Sequence, residues 1–243
     1  AEASVDKKNA PSGTTVRWKE TPEVTTPGAH KGVAIVHYPD GSEEEVDVPI
    51  TVKPQKDTYD PVGKPQTVDN GTVPEAEASV DKKNAPSGTT VRWKETPEVT
   101  TPGAHKGVAI VHYPDGSEEE VDVPITVKPQ KDTYNPVGKP QTVDNGTVPD
   151  AEASVDKKNA PSGTTVRWKE TPEVTTPGAH KGVAIVHYPD GSEEEVDVPI
   201  TVKPQKDTYD PVGKPQTVDN GTVPEAEASV DKKNAPSGTT VRW

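Results

Sequence analysis

Residues 107–127 read GVAIVHYPDGSEEEVDVPITV, and this stretch decides the fold of the chain. Four apolar residues at 108–111 lead into a turn-forming segment at 114–116. From 121 to 127, valine or isoleucine occupies every second position. Strict alternation of this kind is typical of a half-buried strand and not of a helix. Two such runs joined by a short turn predict a β-hairpin.

The turn is Pro114-Asp115-Gly116, and its length sets the register of the hairpin. A two-residue loop of Asp115 and Gly116 would place Pro114 in the strand ladder, where proline has no N–H to donate. A three-residue loop avoids that loss, with Pro114 and Asp115 at the centre of a type I turn and Gly116 in the left-handed region. We therefore favour the three-residue loop.

Each register predicts a different buried face for the hairpin. The three-residue loop buries one face made of Ala109, Val111, Tyr113, Val121 and Val123. A four-residue loop would turn the first strand over, so that Val108 and Ile110 are buried instead. Because this strand is apolar on both faces, we expect it to lie in the interior of a sheet or sandwich.

The same hairpin sequence occurs three times, at 32–52, 107–127 and 182–202, with a period of 75 residues. The copies of the period differ only at positions 60, 135 and 210, which are Asp, Asn and Asp, and at 75, 150 and 225, which are Glu, Asp and Glu. Self-similarity at a fixed period indicates a tandem array of one module. Identity this close indicates one role repeated, not several specialised sites.

The composition leaves little material for a core. The 243-residue chain has a net charge of −13, is 28% hydrophobic and contains no Cys, Met or Phe, which alone would favour disorder. The alternating pattern, with one Trp and two Tyr in each complete period, favours a small folded module of modest stability instead. Trp93 and Tyr113 are its predicted aromatic core residues, although an exposed Trp93 would be suited to a carbohydrate.

Shorter elements are predicted in the rest of the period. Strands are expected near 66–68 and over 89–93. Residues 74–84 begin with proline, carry glutamates early and lysines late, and end at Asn84. This pattern predicts a helix of about two to three turns, with Ala76 and Val80 facing inwards. Asn70-Gly71 is interpreted as a turn, although with the following Thr it matches the N-glycosylation sequon.

Consecutive periods are joined by the inter-module linker Lys128-Pro129-Gln130-Lys131. A connection this short, with one proline inside it and another soon after it, is stiff rather than flexible. We therefore expect the modules to stand end to end as an elongated rod, each adding at least about 30 Å.

These residues resemble those of the Rib domain. The run Tyr113-Pro114-Asp115-Gly116-Ser117 before a valine-rich last strand looks like the end of that domain, and Tyr59-Asp60-Pro61 fits its opening. The resemblance covers the whole period and implies an all-β fold of tandem immunoglobulin-like β-sandwich modules with reduced strand number. With the predicted segment at 74–84, each module also has one short helix.

The resemblance also implies a place and a role for the chain. Rib domains are tandem modules of Gram-positive cell-surface proteins, so the chain is expected to be extracellular and attached to the cell wall. The implied role is a stalk that projects a distal adhesive domain, with its length set by the repeat number. Neither a wall-sorting signal nor an adhesive domain is recognised in these residues.

The family order sets the expected module boundaries. Complete modules are expected at 57–131 and 132–206, a partial module lacking its opening segment at 1–56, and a partial module lacking the hairpin at 207–243. The tail of one chain could complete the head of another by head-to-tail pairing of these partial modules. Alternatively, the sequence is the ordered or chosen part of a longer array.

No residue pattern indicates catalysis, a cofactor or a metal site. Glutamates 118–120 are interpreted as a solvated end of the hairpin, because no calcium-loop spacing accompanies them. His105 and His112 have no third ligand at metal spacing. The acidic charge argues against nucleic acid, and no apolar run is long enough for membrane insertion. We therefore expect that the protein is not an enzyme.

Two functions remain. The favoured one is a structural spacer, supported by stiff linkers, near-identical copies and an acidic surface. The alternative is a multivalent adhesin that binds a host glycan or protein through each repeat. An exposed aromatic or apolar patch on each copy would favour the adhesin. Burial of Trp93 and Tyr113 would favour the spacer.

Overall fold

A computed structural model describes the whole chain, residues 1–243. The fold is all-β, and the chain forms two compact units, Ala1–Lys128 and Pro129–Trp243. The first unit ends with the strand Glu118–Lys128, and the first element of the second unit is the 3-10 turn Gln130–Asp132.

The strands follow the 75-residue period of the sequence. The first repeat contains β1 (Thr15–Trp18), β2 (Gly28–His37) and β3 (Glu43–Val52). The second contains β4 (Val62–Gly63), β5 (Gln66–Asp69), β6 (Val80–Asp81), β7 (Thr90–Trp93), β8 (Gly103–His112) and β9 (Glu118–Lys128). The third contains β10 (Val137–Gly138), β11 (Gln141–Val143), β12 (Val155–Asp156), β13 (Thr165–Trp168), β14 (Gly178–His187) and β15 (Glu193–Val202). The last contains β16 (Val212–Gly213) and β17 (Val230–Asp231).

The helical segments are single 3-10 turns of three residues each. They are Glu2–Ser4, Gln55–Asp57, Glu77–Ser79, Gln130–Asp132, Gln205–Asp207 and Glu227–Ser229. None of them is long and apolar enough to cross a membrane.

The main layer of the second repeat is a four-stranded sheet in the order β5-β9-β8-β7. The hairpin of β8 and β9 forms its centre, and β7 pairs antiparallel with β8. On the other side, β5 runs parallel to β9, so that an early strand of the repeat lies beside its last strand. The third repeat has the same sheet, in the order β11-β15-β14-β13.

A ribbon of β4 and β6 packs against this sheet and completes an immunoglobulin-like sandwich with few strands. The two layers touch at Gly63, where an added Cβ would lie 2.0 Å from the backbone oxygen of Asp122 on β9. No other residue fits at this position, because every other side chain begins with a Cβ. The corresponding Gly138 of the third repeat lies equally close to Asp197.

One face of the hairpin supplies the core of the second repeat. Ala109, Val111, Tyr113 and Val123 are each 0% exposed. They belong to a cluster that also contains Val68, Ala76, Val80, Val91, Val99, Val121, Ile125 and Val127. On the other face of the first hairpin strand, Val108 is only half-buried, and Ile110 is 9% exposed but lies outside the core cluster. The buried set therefore corresponds to the register of the three-residue loop.

The turn of the hairpin contains three residues between its closing bonds. The Tyr113 N–H donates to the Ser117 carbonyl over 2.9 Å, and the Gly116 N–H donates to the Tyr113 carbonyl over 2.9 Å. Gly116 has a φ of +85°, in the left-handed region. Pro114 thus lies inside the loop, where its missing N–H leaves no ladder bond unmade.

The predicted helix of two to three turns over 74–84 is wrong. The structure has one 3-10 turn, Glu77–Ser79, and Val80 then adopts extended backbone with a φ of −128°. Val80 is 2% exposed and pairs with Gly63 in the ribbon, so core burial and strand pairing of a β-branched residue outweigh a weak helical preference. Asn84 has a φ of +61° in the turn that follows, not at a helix end.

Glutamates 118–120 lie at the start of β9 and are not a purely solvated end of the hairpin. The carboxylate of Glu118 lies 3.1 Å from His112 Nδ1, and that of Glu120 accepts from Lys94 Nζ over 2.6 Å. Glu119 accepts from the hydroxyl of Tyr113 over 2.5 Å. Each glutamate thus has a side-chain partner, and the run of three glutamates in the sequence does not reveal these partners.

Candidate functional site

Two polar arrangements organise the second and third repeats, and neither resembles a catalytic centre. The first joins the hairpin turn to the segment that opens the same repeat. The second joins the end of one repeat to the beginning of the next. We call the second arrangement the repeat junction; it consists of Val143, Asp144, Asn145, Lys203, Gln205 and Thr208.

The hairpin turn holds the opening 3-10 turn through Asp115. Its carboxylate Oδ2 accepts from the Gln55 backbone N–H over 2.7 Å, and Oδ1 accepts from the backbone N–H and the hydroxyl of Ser117. In return, the Asp115 N–H donates to Gln55 Oε1 over 3.3 Å. The third repeat has the same contact, in which the Gln130 N–H donates to Asp190 Oδ2 over 2.7 Å. The turn therefore links residues that lie 60 positions apart in the sequence.

Hydrogen bonding keeps Asp115 ionised. Burial works against the charged form, but the bonds from the Ser117 side chain and from the Gln55 backbone outweigh it, so the pKa of Asp115 lies below its usual value. An ionised carboxylate accepts all three bonds at once, and bonds to a charged acceptor are the stronger kind.

Tyr113, one of the two predicted core aromatics, is fully buried beside the turn. Its ring stacks against Tyr59 with centroids 5.9 Å apart. Burial, followed by the bond to Glu119, raises the pKa of Tyr113 above its ordinary value, so the phenol stays protonated and donates. Tyr188 and Glu194 repeat this arrangement in the third repeat.

Trp93, the other predicted core aromatic, is partly buried and packs against the core cluster. Its indole N–H donates to the Pro74 carbonyl over 2.8 Å. Gly107 lies beneath the ring, where an added Cβ would be 2.8 Å from Trp93 Cζ3. Most of the ring therefore contacts protein and does not form an open aromatic platform.

The predicted linker residues each take part in ordered structure. Lys128 ends β9, and its ammonium lies 3.1 Å from Asp69. Pro129 caps the 3-10 turn Gln130–Asp132, which includes Lys131. In the third repeat, the matching residues are Lys203, Pro204, Gln205 and Lys206.

The repeat junction lies where β15 leaves the third repeat. The Lys203 N–H donates to the Val143 carbonyl over 2.9 Å, and its ammonium lies 3.2 Å from Asp144 Oδ1. Two residues further on, Gln205 Nε2 donates to Asn145 Oδ1 over 3.1 Å. The hydroxyl of Thr208 donates to Asp144 Oδ1 over 3.5 Å. Asp144 and Asn145 thus contact both the end of their own sheet and the start of the next repeat.

The junction turn is held from the other side by the loop at 173–176. Asn145 Nδ2 donates to the Thr175 carbonyl over 2.5 Å, and the Gly146 N–H donates to the Val174 carbonyl over 2.7 Å. Glu173 shapes this loop, because its carboxylate accepts from the backbone N–H groups of Thr175 and Thr176 over 2.6 and 3.0 Å.

The pKa of Glu173 is lowered to about 2, first by the hydroxyl of Thr175 and then by the backbone bonds. Glu98 of the second repeat has the same partners, Thr100 and Thr101, and its pKa is also lowered to about 2. The carboxylate that shapes the loop is therefore charged throughout the physiological pH range.

The remaining candidate residues have structural partners. His105 Nε2 lies 2.8 Å from the Thr101 carbonyl, and His112 faces Glu118. The 243 residues contain no group of three or more His, Cys, Asp or Glu side chains placed to hold a metal ion. An open groove lies between residues 94–98 and 106–108, with a volume of about 370 Å³, and both of its lysines are paired with carboxylates.

Sequence reasoning missed the residues that matter most at the junction. Asp144 and Asn145 belong to a DNG turn whose composition indicates only a change of chain direction. Gln205 is the counterpart of the predicted linker residue Gln130, but its hydrogen-bond partner was not predicted, and Thr208 carries no motif. One signal was available: the DNG turn and the KPQK segment recur together in every period, as two parts of one contact would.

Comparison with known proteins identifies one family model along the whole chain. The Rib domain model matches residues 1–54, 55–129, 130–204 and 205–243. Over 240 residues the chain is 35% identical to the C protein alpha-antigen of Streptococcus agalactiae serotype Ia, and the match covers 90% of this chain and 23% of that protein. The chain thus spans less than a quarter of that relative's length.

Two solved structures are also similar. A Rib structure from Streptococcus pyogenes is 35% identical, and the match covers 31% of this chain and 100% of that one, with a TM-score of 0.30. The sialic acid binding region of a Streptococcus sanguinis adhesin is 14% identical, and the match covers 84% of this chain and 68% of that one, also with a TM-score of 0.30.

Proposed function

Because this chain belongs to the Rib domain family, we propose that it is a spacer in the stalk of a bacterial cell-surface protein. In this proposal the repeats act as mechanical units of fixed size, and their number sets how far a distal domain projects from the cell wall. The proposed partners of each repeat are its neighbours in the same chain. The proposed location is the outside of the cell, with the parent protein attached to the wall.

The observation that carries the proposal is the repeat junction. A flexible connection would leave Gln205 and Thr208 in water, whereas both donate to the DNG turn of the preceding repeat. The connection also starts directly from the last sheet bond, between Lys203 and Val143, and passes through a proline. Few rotatable residues remain between the sheet and the next 3-10 turn, which supports restricted motion.

The chemistry of the repeats supports the same role. The largest buried side chains, such as Tyr113, are used in packing, and Trp93 is held by a backbone carbonyl. Glu120 and Asp122 on the sheet are paired with lysines, and Glu98 in the loop accepts from a backbone N–H group of the same repeat. A spacer needs these stabilising contacts and needs no free reactive group.

Small-angle X-ray scattering on a length series tests the proposal. The series consists of this chain and of versions extended by one and by two further 75-residue periods. A spacer with restricted junctions gives equal increments in maximum dimension, at least about 30 Å for each added period. Increments that shrink with length, as in a flexible chain, would contradict the proposal.

A pair of double variants tests whether the junction restricts the motion between repeats. Asp69→Ala together with Asp144→Ala removes the junction carboxylates from both complete repeats, and we expect a broader distribution of maximum dimensions. Asp122→Ala together with Asp197→Ala removes carboxylates paired with Lys106 and Lys181 on the same sheets, away from the junction. This control should scatter like the unmodified chain.

A further inference from the structure

Each period contains one Asn-Gly pair, and the three pairs differ in how they are held. They are Asn70-Gly71, Asn145-Gly146 and Asn220-Gly221. Asparagine followed by glycine is chemically fragile, because the glycine nitrogen has no neighbouring side chain to block its approach to the asparagine side-chain carbon. Asparagine is accordingly among the thermolabile residues of proteins.

In the complete repeats, the fold occupies both reacting groups. The Gly71 and Gly146 N–H groups donate to Val99 and Val174 carbonyls, each over 2.7 Å. The side-chain amide of Asn70 donates to the Thr100 carbonyl over 2.7 Å, as Asn145 does to Thr175. The nitrogen that would attack and the amide that would leave are thus both tied to one loop.

The third pair has the same turn without these bonds. The Thr222 N–H donates to the Asp219 carbonyl over 2.9 Å, as Thr147 does to Asp144, and Gly221 has a φ of +86° against +84° for Gly146. Neither Asn220 nor Gly221 makes a bond to a second loop. Within these 243 residues, the three pairs share the same local sequence and turn and differ in whether a loop is bonded to them.

We propose that the Asn-Gly pair is a site of spontaneous deamidation that the folded repeat protects. We propose further that the asparagine deamidates only where the 173–176 loop, or its counterpart in another repeat, is no longer bonded to the pair. In the step, the glycine nitrogen loses its proton to solvent and forms a bond to the asparagine Cγ, and the side-chain nitrogen leaves as ammonia. Water then opens the resulting succinimide to aspartate or isoaspartate. The net reaction consumes one water and releases one ammonia.

The product would not restore the junction. A carboxylate at position 145 has no N–H to donate to the Thr175 carbonyl, and it places a second negative charge beside Asp144. An isoaspartate also lengthens the backbone of the turn. Conversion would therefore mark a repeat that has opened and would remove the bond that the junction turn donates to the Thr175 carbonyl. This consequence rests on the proposed role of the junction, whereas the chemistry of the site does not.

Peptide mass spectrometry of the full chain tests the proposal after incubation in mildly alkaline buffer. Tryptic peptides 57–82 and 207–232 have identical sequences, so the test uses the variant Val212→Ile, in which an exposed valine gains a methylene that distinguishes the last peptide. The peptide 132–157 differs from both at positions 135 and 150. Each asparagine is then followed separately, by the mass difference between an amide and an acid.

We expect Asn220 to convert at least about tenfold faster than Asn70 and Asn145, which corresponds to about 1.4 kcal/mol for opening the loop. Equal rates at the three positions, or no conversion at Asn220, would overturn the proposal. In this comparison the three sites share one molecule, one buffer and one incubation.

A second variant tests the loop itself. Glu173→Ala removes the carboxylate that shapes residues 173–176, and we expect conversion at Asn145 to rise while Asn70 in the same chain stays slow. Glu98→Ala should have the reciprocal effect on Asn70. If Asn145 stays as slow as in the parent chain while hydrogen exchange shows the loop open, the assignment of protection to these bonds is wrong. The scattering series above is independent of this result.

Discussion

Alanine at position 63 tests whether the close approach of the ribbon to the sheet stabilises a repeat. In Gly63→Ala, the new Cβ lies 2.0 Å from the Asp122 oxygen and 3.0 Å from Val123 Cα, which are backbone atoms of β9. Ordinary contacts of a Cβ begin at 3.4 Å, so the ribbon must move away by 1.4 Å, the difference between 3.4 and 2.0 Å. Because these neighbouring atoms belong to the backbone, they cannot make room by rotation of a side chain.

The cost follows from what the ribbon covers. Val80, which pairs with Gly63, is 2% exposed, and Ala76 beside it is 9% exposed. Overpacking costs about 1–3 kcal/mol, and partial loss of the contacts of these residues brings the total to about 3 kcal/mol. A repeat of this size has a total stability of about 4–11 kcal/mol. We therefore expect Gly63→Ala to remove a large share of it.

Urea unfolding of the full chain, followed by tryptophan fluorescence, measures the effect. With an m-value of about 1 kcal/mol per molar urea, the midpoint of the altered repeat falls by about 3 M. Gly213→Ala is the matched control, because the same sequence surrounds it and no atom lies within 4 Å of its added Cβ. We expect the control curve to superimpose on that of the unmodified chain. Equal losses in the two variants, or no loss in Gly63→Ala, would refute the steric argument.

Three further predictions concern the hydrogen bonds and the expected partial modules. Asp115→Ala should destabilise its repeat by about 2 kcal/mol in thermal unfolding, and Asp40→Ala by less, because Asp40 bonds only Ser42. Because the pKa of Asp115 is lowered, its contribution is full above the unfolded value of about 3.9, and the difference from the unmodified chain should shrink as the pH falls through the lower folded-state pKa. The amide resonance of Thr175 should titrate with the pKa of about 2 of Glu173, and the bond should be lost only in strong acid; a midpoint near 4.5 would contradict the geometry. Head-to-tail completion predicts that the mass measured by light scattering rises with concentration, whereas a monomer at all concentrations would exclude it.

The sequence was sufficient to predict the structure where the pattern is local and repeated. The alternation of valines over 121–127 and the chemistry of Pro114 predicted the hairpin and the length of its turn from neighbouring residues alone. The all-β class was implied instead by the resemblance to the Rib domain. The hairpin and its turn depend on a period of two and on the missing N–H of proline, which act within a few residues.

The sequence was insufficient to predict the structure where contacts join segments that are distant in the chain. The helix predicted over 74–84 failed because Glu77, placed early enough to favour a helix, instead accepts from the Val91 N–H and pairs with Lys82. The parallel pairing of β5 with β9 joins residues about 60 positions apart, and no local pattern encodes it. The partners of Glu119 and Asn145 likewise lie on other strands and loops. Charge and turn composition revealed these side chains as polar, but not what they bind.

The parallel pairing of β5 with β9 has a consequence for a repeat under tension. A force that pulls the two ends of a repeat apart draws β5 towards its beginning and β9 towards its end, in opposite directions along the strands. The bonds between Gln66–Asp69 and the end of β9 are therefore loaded in shear and must break together, whereas a hairpin pulled from its open end breaks them one at a time. Resistance to pulling is set by the barrier to unfolding and not by equilibrium stability. A module with a thin core and modest stability can therefore still be slow to yield when it is stretched.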